Sequence, residues 1–430
     1  MNDINSKIPT PLLHSQKTFP TIFHVDVNSA FLSWEACYRL NTLGDTLDLR
    51  TIPSVIGGNE EARHGIVLAK SIPAKKYGIK TGESLNDARR KCPSLLIAPP
   101  NHELYQKSSE AFIRLLKSYT PDVLQYSIDE AFMDMSGMDG IYGSLLLFAH
   151  ELKEKIRNTL GFTVNIGIST NKLLAKTASD FKKPDYVHTL FPDEIPVKFW
   201  PLPVSDLLFA GPSTVKKLHD LGITTIGELA HYDINLLRLH FGKVADTLWQ
   251  YANGEDTAAF EGHVARNKGY GNSTTTRFDI TDADTAKHIL LSLTETVCRR
   301  IRADNAHVSV VGVSITDKDF KRISHQRRLL SATDVTDSIY RMVCTLFDEL
   351  WDNSPIRQLG VHTSHATETA CSQYNLFDLD YYDRHVKLNR AIDSIRDRYG
   401  NNAIKRASFI DNACQHMADN ISTLPKQGIL

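Results

Sequence analysis

Three carboxylates carry the first chemical signal in this chain. Asp129 and Glu130 stand side by side in the hairpin-like stretch "VLQYSIDEAFMDMSG", and Asp26 closes the apolar run "TIFHVD" far upstream. Neighbouring side chains in a regular strand point to opposite faces, so Asp129 and Glu130 can serve one site only where the strand bends or ends. If the Asp26 strand pairs beside that hairpin, the three acids converge. They then form a set of hard oxygen ligands suited to Mg²⁺, which takes a few carboxylates together with phosphate oxygens and water. Ions held in pairs in this way stabilise both the attacking and the leaving oxygen of an in-line phosphoryl displacement. Taken alone, the two adjacent acids also fit an ordinary turn.

These acids need elements to hold them. In "TIFHVDVN" the residues Phe23, Val25 and Val27 alternate with His24, Asp26 and Asn28, which predicts a strand with Asp26 on the face opposite the core. The helix-like "LLLFAHELKEKIRNTL" precedes a further strand pattern, "FTVNIGIST". A helix from about Asn171 follows, with Lys172, Lys176 and Asp180 on one face and Leu174, Ala178 and Phe181 on the other. Strands and helices in this order predict an α+β sheet layer.

A chain of 430 residues is too long for one hydrophobic core and is expected to form two to four domains. With Lys+Arg 49 against Asp+Glu 50, a polyanionic partner must be met by local basic faces and not by a bulk field. No signal pattern or membrane-length apolar run appears, which points to the cytoplasm. The six cysteines form no C-x-x-C pair and read as reduced thiols, excluding a disulfide framework or a zinc ribbon. Residues 1–20 carry no periodic pattern and read as a flexible lead-in.

Five segments arrive in order: "DVNSAF", "YSIDEAFMD", "NIGISTNKLLAKTASDFKKP", "LLFAGPSTVKKLHDLGITTIGELA" and "KGYGNSTTTRF". Together, from about Thr21 to Ala366, they resemble the Y-family translesion DNA polymerases, nearest to the bacterial DNA polymerase IV branch. The resemblance implies an α+β multidomain right hand: a palm of residues 21–50 and 95–183, small fingers over 51–94, a helix-hairpin-helix thumb over 184–261, an α/β little finger over 262–366 and a tail over 367–430. It implies that Asp26, Asp129 and Glu130, with the carbonyl of Val27, hold two Mg²⁺ ions. The reaction implied is attack of a primer 3′-hydroxyl on the α-phosphate of a deoxynucleoside triphosphate, at low fidelity and with no proofreading.

Further roles follow from the same resemblance. Phe31 occupies the steric-gate position, where a bulky ring excludes a ribose 2′-hydroxyl. Asn28 and Ala30 stand where many members have Asp and Phe. In "GIVLAKSIPAKKYGIKTGESLNDARRKCP" the residues Ile72 and Lys75 replace the usual Tyr and Arg of the fingers, leaving Lys75 as a point charge for the triphosphate and Ile72 with no hydrogen bond to give. Lys172 matches a phosphate-binding lysine at a helix N-terminus. In the thumb hairpin, Gly211 and its backbone N–H groups, with Lys216 and Lys217, suit a DNA phosphate, although Ala210 stands at the usual first glycine. Between Gly262 and Leu330 twelve Lys or Arg, Arg277 and Arg327 among them, face seven acids, which suits a sheet laid along phosphates.

Past Ala366, "QYNLF" resembles the short peptide with which bacterial polymerases dock in the sliding clamp, with Gln373, Leu376 and Phe377 as its anchors. The later stretch "VKLNRAIDSIRDRYG" predicts an amphipathic helix with Leu388, Ile392 and Ile395 on one side. The expected partners are primer-template DNA, deoxynucleoside triphosphates and the clamp, for a monomer that does not enter a membrane. Two rival readings make distinct demands. A polymerase-like accessory protein that binds DNA and the clamp but has lost catalysis would show substituted carboxylates. A different palm enzyme, such as a nucleotide cyclase, would have no use for a helix-hairpin-helix, a basic little finger or a clamp peptide.

Overall fold

The computed structural model describes residues 20–59, 63, 65–256, 260, 266–368 and 379–409. Its chain forms two units, Met1–Leu49 with Leu104–Gly262, and Arg50–Glu103 with His263–Leu430. The expected flexible lead-in, residues 1–20, lies outside the described residues apart from Pro20.

In the first unit, a five-stranded sheet is built from β1 (Ile22–Val27), β5 (Val123–Gln125), β6 (Glu130–Asp134), β7 (Val164–Ser169) and β8 (Val187–Thr189), in the order β5-β6-β1-β7-β8. Around it run α1 (Ala30–Tyr38), α4 (His102–Lys117), α5 (Asp139–Tyr142), α6 (Leu145–Leu160) and α7 (Lys172–Asp180). The alternation in "TIFHVDVN" leads to a half-exposed β1, yet all six of its residues are buried. The reason is that both faces are covered, as is usual for a strand at the centre of a sheet flanked by helices. Phe23 meets Phe148 of α6 at 6.4 Å between ring centroids, while His24 on the other face reaches Ser179 of α7 at 2.7 Å. Gly167 permits this layer: a Cβ there would lie 2.0 Å from the Ala175 carbonyl oxygen of α7, so only glycine lets helix and strand approach so closely.

The sheet runs on past the expected palm boundary at residue 183, because β8 pairs in parallel with β7. Beyond it, α8 (Pro212–Asp220), α9 (Ile226–Ala230), α10 (Ile234–Phe241) and α11 (Val244–Ala252) pack around Leu218, Ile226, Leu237 and Leu248. Leu174 and Ala178 of α7 belong to that same apolar cluster, and Asn171 Nδ2 donates to the Gly254 carbonyl at 2.8 Å.

The second unit has two sheets. β2 (Ser54–Gly57), β3 (Val67–Lys70) and β4 (Leu96–Ala98) form the smaller, with α2 (Ile72–Lys76) and α3 (Leu85–Lys91). Since β4 pairs with β2, this small layer extends past the expected fingers boundary at residue 94. The larger sheet takes β9 (Gly271–Ile280), β10 (His307–Asp317), β11 (Arg322–Thr333) and β12 (Ile356–Thr367) in the order β11-β10-β12-β9. Two helices, α12 (Ala283–Ala303) and α13 (Thr336–Leu350), bury Val311, Val313 and Ile315 of β10 on one face. A last helix, α14 (Leu379–Tyr399), follows. Cys37, Cys92, Cys298 and Cys344 are free thiols, as read from the sequence. Among the described residues no helix is long and apolar enough to cross a membrane.

Candidate active site

The strand order brings the three acids together. β1 lies between β6 and β7, and its register sets Asp26 directly opposite Glu130. Asp129 precedes β6 in a bend closed by the Glu130 carbonyl, which accepts from the N–H groups of Tyr126 (3.0 Å) and Ser127 (3.2 Å). The bend resolves the problem of two adjacent acids on one strand: Glu130 continues the ladder, while Asp129 is turned out of it. Val27 N–H donates to the Asp129 carbonyl at 3.0 Å. Because the N–H and C=O of a strand residue share one edge, the Val27 carbonyl faces this same side.

Each acid has its own local partner. Lys183 pairs with Asp26, and also with Asp180 at 2.8 Å. Lys176 pairs with Glu130, which also contacts His24 Nε2 at 3.1 Å. Ser127 Oγ donates to Asp129 Oδ1 at 2.6 Å. So engaged, no group of three or more His, Cys, Asp or Glu among the described residues stands ready-made around an ion. The donor chemistry nonetheless fits a hard divalent cation, with three carboxylates and a main-chain carbonyl, while the ammonium groups of Lys176 and Lys183 supply the countercharge in the metal-free site.

The protonation balance differs between the acids. Burial, reinforced by the charges of Glu130 and Asp129, pushes Asp26 up to about 6 against the pull of Lys183. Asp129 is raised too, first by burial and then by Glu130, with Ser127 opposing. Burial acts the same way on Glu130, but the His24 hydrogen bond and the Lys176 charge outweigh it and hold Glu130 at about 2. Burial alone would lower Lys183, yet Asp26 and Asp180 carry its ammonium above the ordinary lysine value. His24, fully enclosed, is lowered by burial.

Lys183, Lys176 and His24 are the site residues that sequence reasoning left unassigned. His24 had a legible signal, sitting two residues before Asp26 on the same strand face. Lys183 had only its i, i+3 spacing from Asp180; its reach to Asp26 depends on α7 crossing back over β1. Phe31 lies in the first turn of α1, stacked on Tyr105 of α4 at 4.5 Å and 11° and flanked by Trp34 at 6.0 Å.

The expected phosphate-binding residues are spread over both units. Lys172 opens α7, whose N-cap Asn171 accepts from Leu174 N–H. Gly211 is the N-cap of α8, with open space around its Cα, and Lys216 and Lys217 are exposed on that helix. In the second unit Lys75 and Ile72 are exposed on α2. Lys70 is lowered by burial and by Lys75, Lys80 and Lys91 around it, so the small layer presents a cluster of cations that composition alone concealed.

Arg277 is exposed on β9. Arg327 is not on the open sheet face that the basic surplus suggested. Its partner in the register is the core residue Val311, which turns it to the helix side, where it grips Glu349 of α13 at 2.8 and 3.0 Å. The same register sends Arg322 and Arg328, opposite Thr316 and Val310, to the open face with Ser314 and Gly312. Arg299 and Arg302 of α12 are likewise spent elsewhere, on Asp397 and Asp393 of α14. Gln373, Leu376 and Phe377 lie outside the described residues.

Residues 25–180 match the impB/mucB/samB family, and residues 267–376 match that family's C-terminal domain. The chain is 46% identical over 394 residues to a protein named DNA polymerase IV from Clostridium acetobutylicum, covering 91% of this chain and 98% of that one. It is 33% identical over 405 residues to DNA polymerase IV 2 of Bacillus subtilis, covering 92% and 95%. A solved Y-family DNA polymerase chimera superposes with a TM-score of 0.70 at 22% identity, over 81% of this chain and 100% of that one.

Proposed function

The chain belongs to the impB/mucB/samB family of Y-family DNA polymerases, and on that premise we propose that Asp26, Asp129 and Glu130 are its catalytic carboxylates, with the Val27 carbonyl as a further metal ligand. The protein is a DNA-directed DNA polymerase of the translesion type, dependent on a divalent metal. The observation that carries the assignment of the acids is the β1–β6 register that sets Asp26 against Glu130 with Asp129 in the adjoining bend. When bound, two Mg²⁺ ions would polarise the α-phosphate of the incoming nucleotide and favour the ionised primer 3′-hydroxyl.

The chain's own residues prepare for that role. Lys183 and Lys176 offset the mutual repulsion of the acids, and His24 fixes the Glu130 carboxylate from beneath. Phe31 stands against the nucleotide sugar, and Lys75 and Lys172 serve the triphosphate. Gly211, Lys216 and Lys217 hold one stretch of DNA backbone, and Arg277 with Arg322 and Arg328 holds another; these contacts position the duplex without reading sequence. The palm, fingers, thumb and little finger follow the boundaries read from sequence, with β4 moved to the fingers and β8 to the palm. The reading also makes the protein a cytoplasmic monomer that works at low fidelity without proofreading. Primer extension by the purified protein, on undamaged and damaged templates with Mg²⁺ or with a chelator, is the direct test; no extension in Mg²⁺ would refute the reading.

A proton and a divalent ion compete for Asp26. Folding raises this carboxyl from 3.8 to about 6, so below that pH the metal-free site holds a proton where it should hold metal, while Glu130 at about 2 stays ionised throughout. The Mg²⁺ concentration giving half-maximal extension should therefore be flat above about pH 7 and rise roughly tenfold per pH unit below about 6. A titration of Mg²⁺ at a series of pH values checks this, and a requirement that stays level down to about pH 5 would remove Asp26 from the ligand set.

For the segment "QYNLF", Leu376→Ala with Phe377→Ala should leave distributive extension on short primers unchanged and remove stimulation by the sliding clamp. Apolar anchors supply most of the energy of so small an interface, and tethering raises the effective concentration of a weakly held enzyme at the primer end. Extension on primed circular DNA with and without loaded clamp reads both effects. Undiminished stimulation would put the clamp contact elsewhere.

A further inference from the structure

The acids stand at one end of the five-stranded sheet, and two aromatic residues flank them from opposite faces. Phe31 is on the face covered by α4, through its stack on Tyr105. From that same side Ser109 Oγ of α4 donates to the Ile128 carbonyl in the acidic bend. Tyr126 is on the other face, beneath α7. Its ring meets Phe132 edge-on at 5.6 Å, and Phe132 lies 4.6 Å from His24. Lys176 Nζ of α7 stands 5.0 Å over the Tyr126 ring while it pairs with Glu130. Tyr126 N–H also donates to the Glu130 carbonyl at 3.0 Å, so main chain and ring are both held, yet the residue is 42% exposed. A ring fixed in this way and open to solvent is a preorganised surface for a ligand.

The α7 face is also the side of the helices proposed to hold DNA. Leu174 and Ala178 of α7 belong to the apolar cluster of α8 to α11. Tyr251 of α11 is a neighbour of Tyr126: burial first, then the charges of Asp256 and Tyr126, raise its phenol above the ordinary tyrosine value. Tyr251 in turn meets Phe209 at 6.0 Å between ring centroids, and Phe209 is exposed two residues before Gly211. A row of aromatic rings thus leads from the acids to the backbone N–H groups that open α8.

We infer, on the polymerase reading of the three acids, that Tyr126 packs against the terminal deoxyribose of the primer strand and so positions its 3′-hydroxyl for attack. In an in-line displacement the attacking oxygen and the leaving pyrophosphate lie on opposite sides of the reacting phosphorus. Primer end and incoming nucleotide therefore approach the acids from opposite sides. The nucleotide sugar belongs with Phe31 on the α4 face, which leaves the α7 face, with Tyr126 and the thumb, to the primer. The contact chemistry suits that occupant. A deoxyribose presents C–H groups, which an aromatic face meets by close apolar contact, and its sugar is the same whatever the base, as a template-directed enzyme requires. Holding the attacking oxygen in line is an orientation effect, which acts on the rate of the chemical step and not on nucleotide affinity.

Photocrosslinking of the full chain tests the contact without relying on catalysis. Tyr126→p-benzoylphenylalanine places a group that inserts into nearby C–H bonds, and on a primer-template labelled in either strand it should join the last nucleotide of the primer. Single-turnover extension supplies the second measurement. Tyr126→Ala should lower the maximal rate at least about tenfold while the nucleotide and Mg²⁺ concentrations for half-maximal rate stay within about twofold. Tyr126→Phe should keep the rate within about twofold, because the ring and not the hydroxyl makes the contact. Crosslinks that fall on the template strand or on neither strand would overturn the inference, as would an unchanged rate in Tyr126→Ala. A raised Mg²⁺ requirement in that variant would overturn it too, since the ring would then act through Lys176 on Glu130. A wild type that extends no primer while the crosslink forms at the primer end would remove the catalytic reading and leave the contact standing.

Discussion

Asp129→Ala is expected to lower the rate of nucleotide addition by about 1,000-fold or more while leaving primer-template affinity within a few fold. The carboxylate is a proposed metal ligand, and losing metal stabilisation of the transferring phosphoryl group costs several kcal/mol of transition-state binding. The DNA contacts proposed on α8, β9 and β11 lie on other elements and should not register the change. Stability supplies a second readout with a definite sign. Folding raises the pKa of Asp129, chiefly by burial and also by Glu130 beside it, so the ionised carboxylate weakens the metal-free fold at neutral pH. Its removal should therefore leave the metal-free melting temperature no lower than that of the wild type. Single-turnover extension and thermal melting on the same preparation measure the two effects. Activity within tenfold of wild type would withdraw Asp129 from the metal site, and a folded, DNA-binding, inactive variant would support it.

Phe31→Ala is expected to admit ribonucleotides. The ring is held by its stack on Tyr105 and by Trp34 behind it, so it cannot swing aside for a 2′-hydroxyl as a loosely packed side chain would. Specificity is a difference between two transition-state affinities, and a rigid obstacle acts on only one of them. Discrimination between deoxy- and ribonucleotides should fall by about 100-fold or more, close to 3 kcal/mol, while deoxynucleotide insertion changes modestly. Steady-state kinetics with matched dNTP and NTP pairs gives the ratio directly. If the variant excludes ribonucleotides as well as the wild type does, Phe31 is only a packing residue between α1 and α4.

Much of this molecule was legible before any coordinates. The alternation in β1 and the hairpin of β5 and β6 could be read from local pattern, because side-chain period and turn chemistry are properties of adjacent residues. The acids were legible for the same reason: a pair of adjacent carboxylates in a strand demands a bend, and a bend is what the Glu130 carbonyl closes.

What pattern could not supply was which strand lies beside which, and so which charges meet. The sequence of β1 alone implies one polar face; the packing of α7 across it turns that face into a buried one and brings Lys183 to Asp26 and Lys176 to Glu130. A count of basic residues implied a sheet surface, yet register sent Arg327 to Glu349 on the helix side and left Arg322 and Arg328 on the open one. In α14 the apolar residues were read correctly as one stripe, but the buried ion pairs of Glu295, Arg396 and Arg406 determined which side docks. Local sequence determined the elements and the chemistry each carries. The tertiary structure decided the electrostatics, because a charge's neighbours in space come from chain segments that no local period relates.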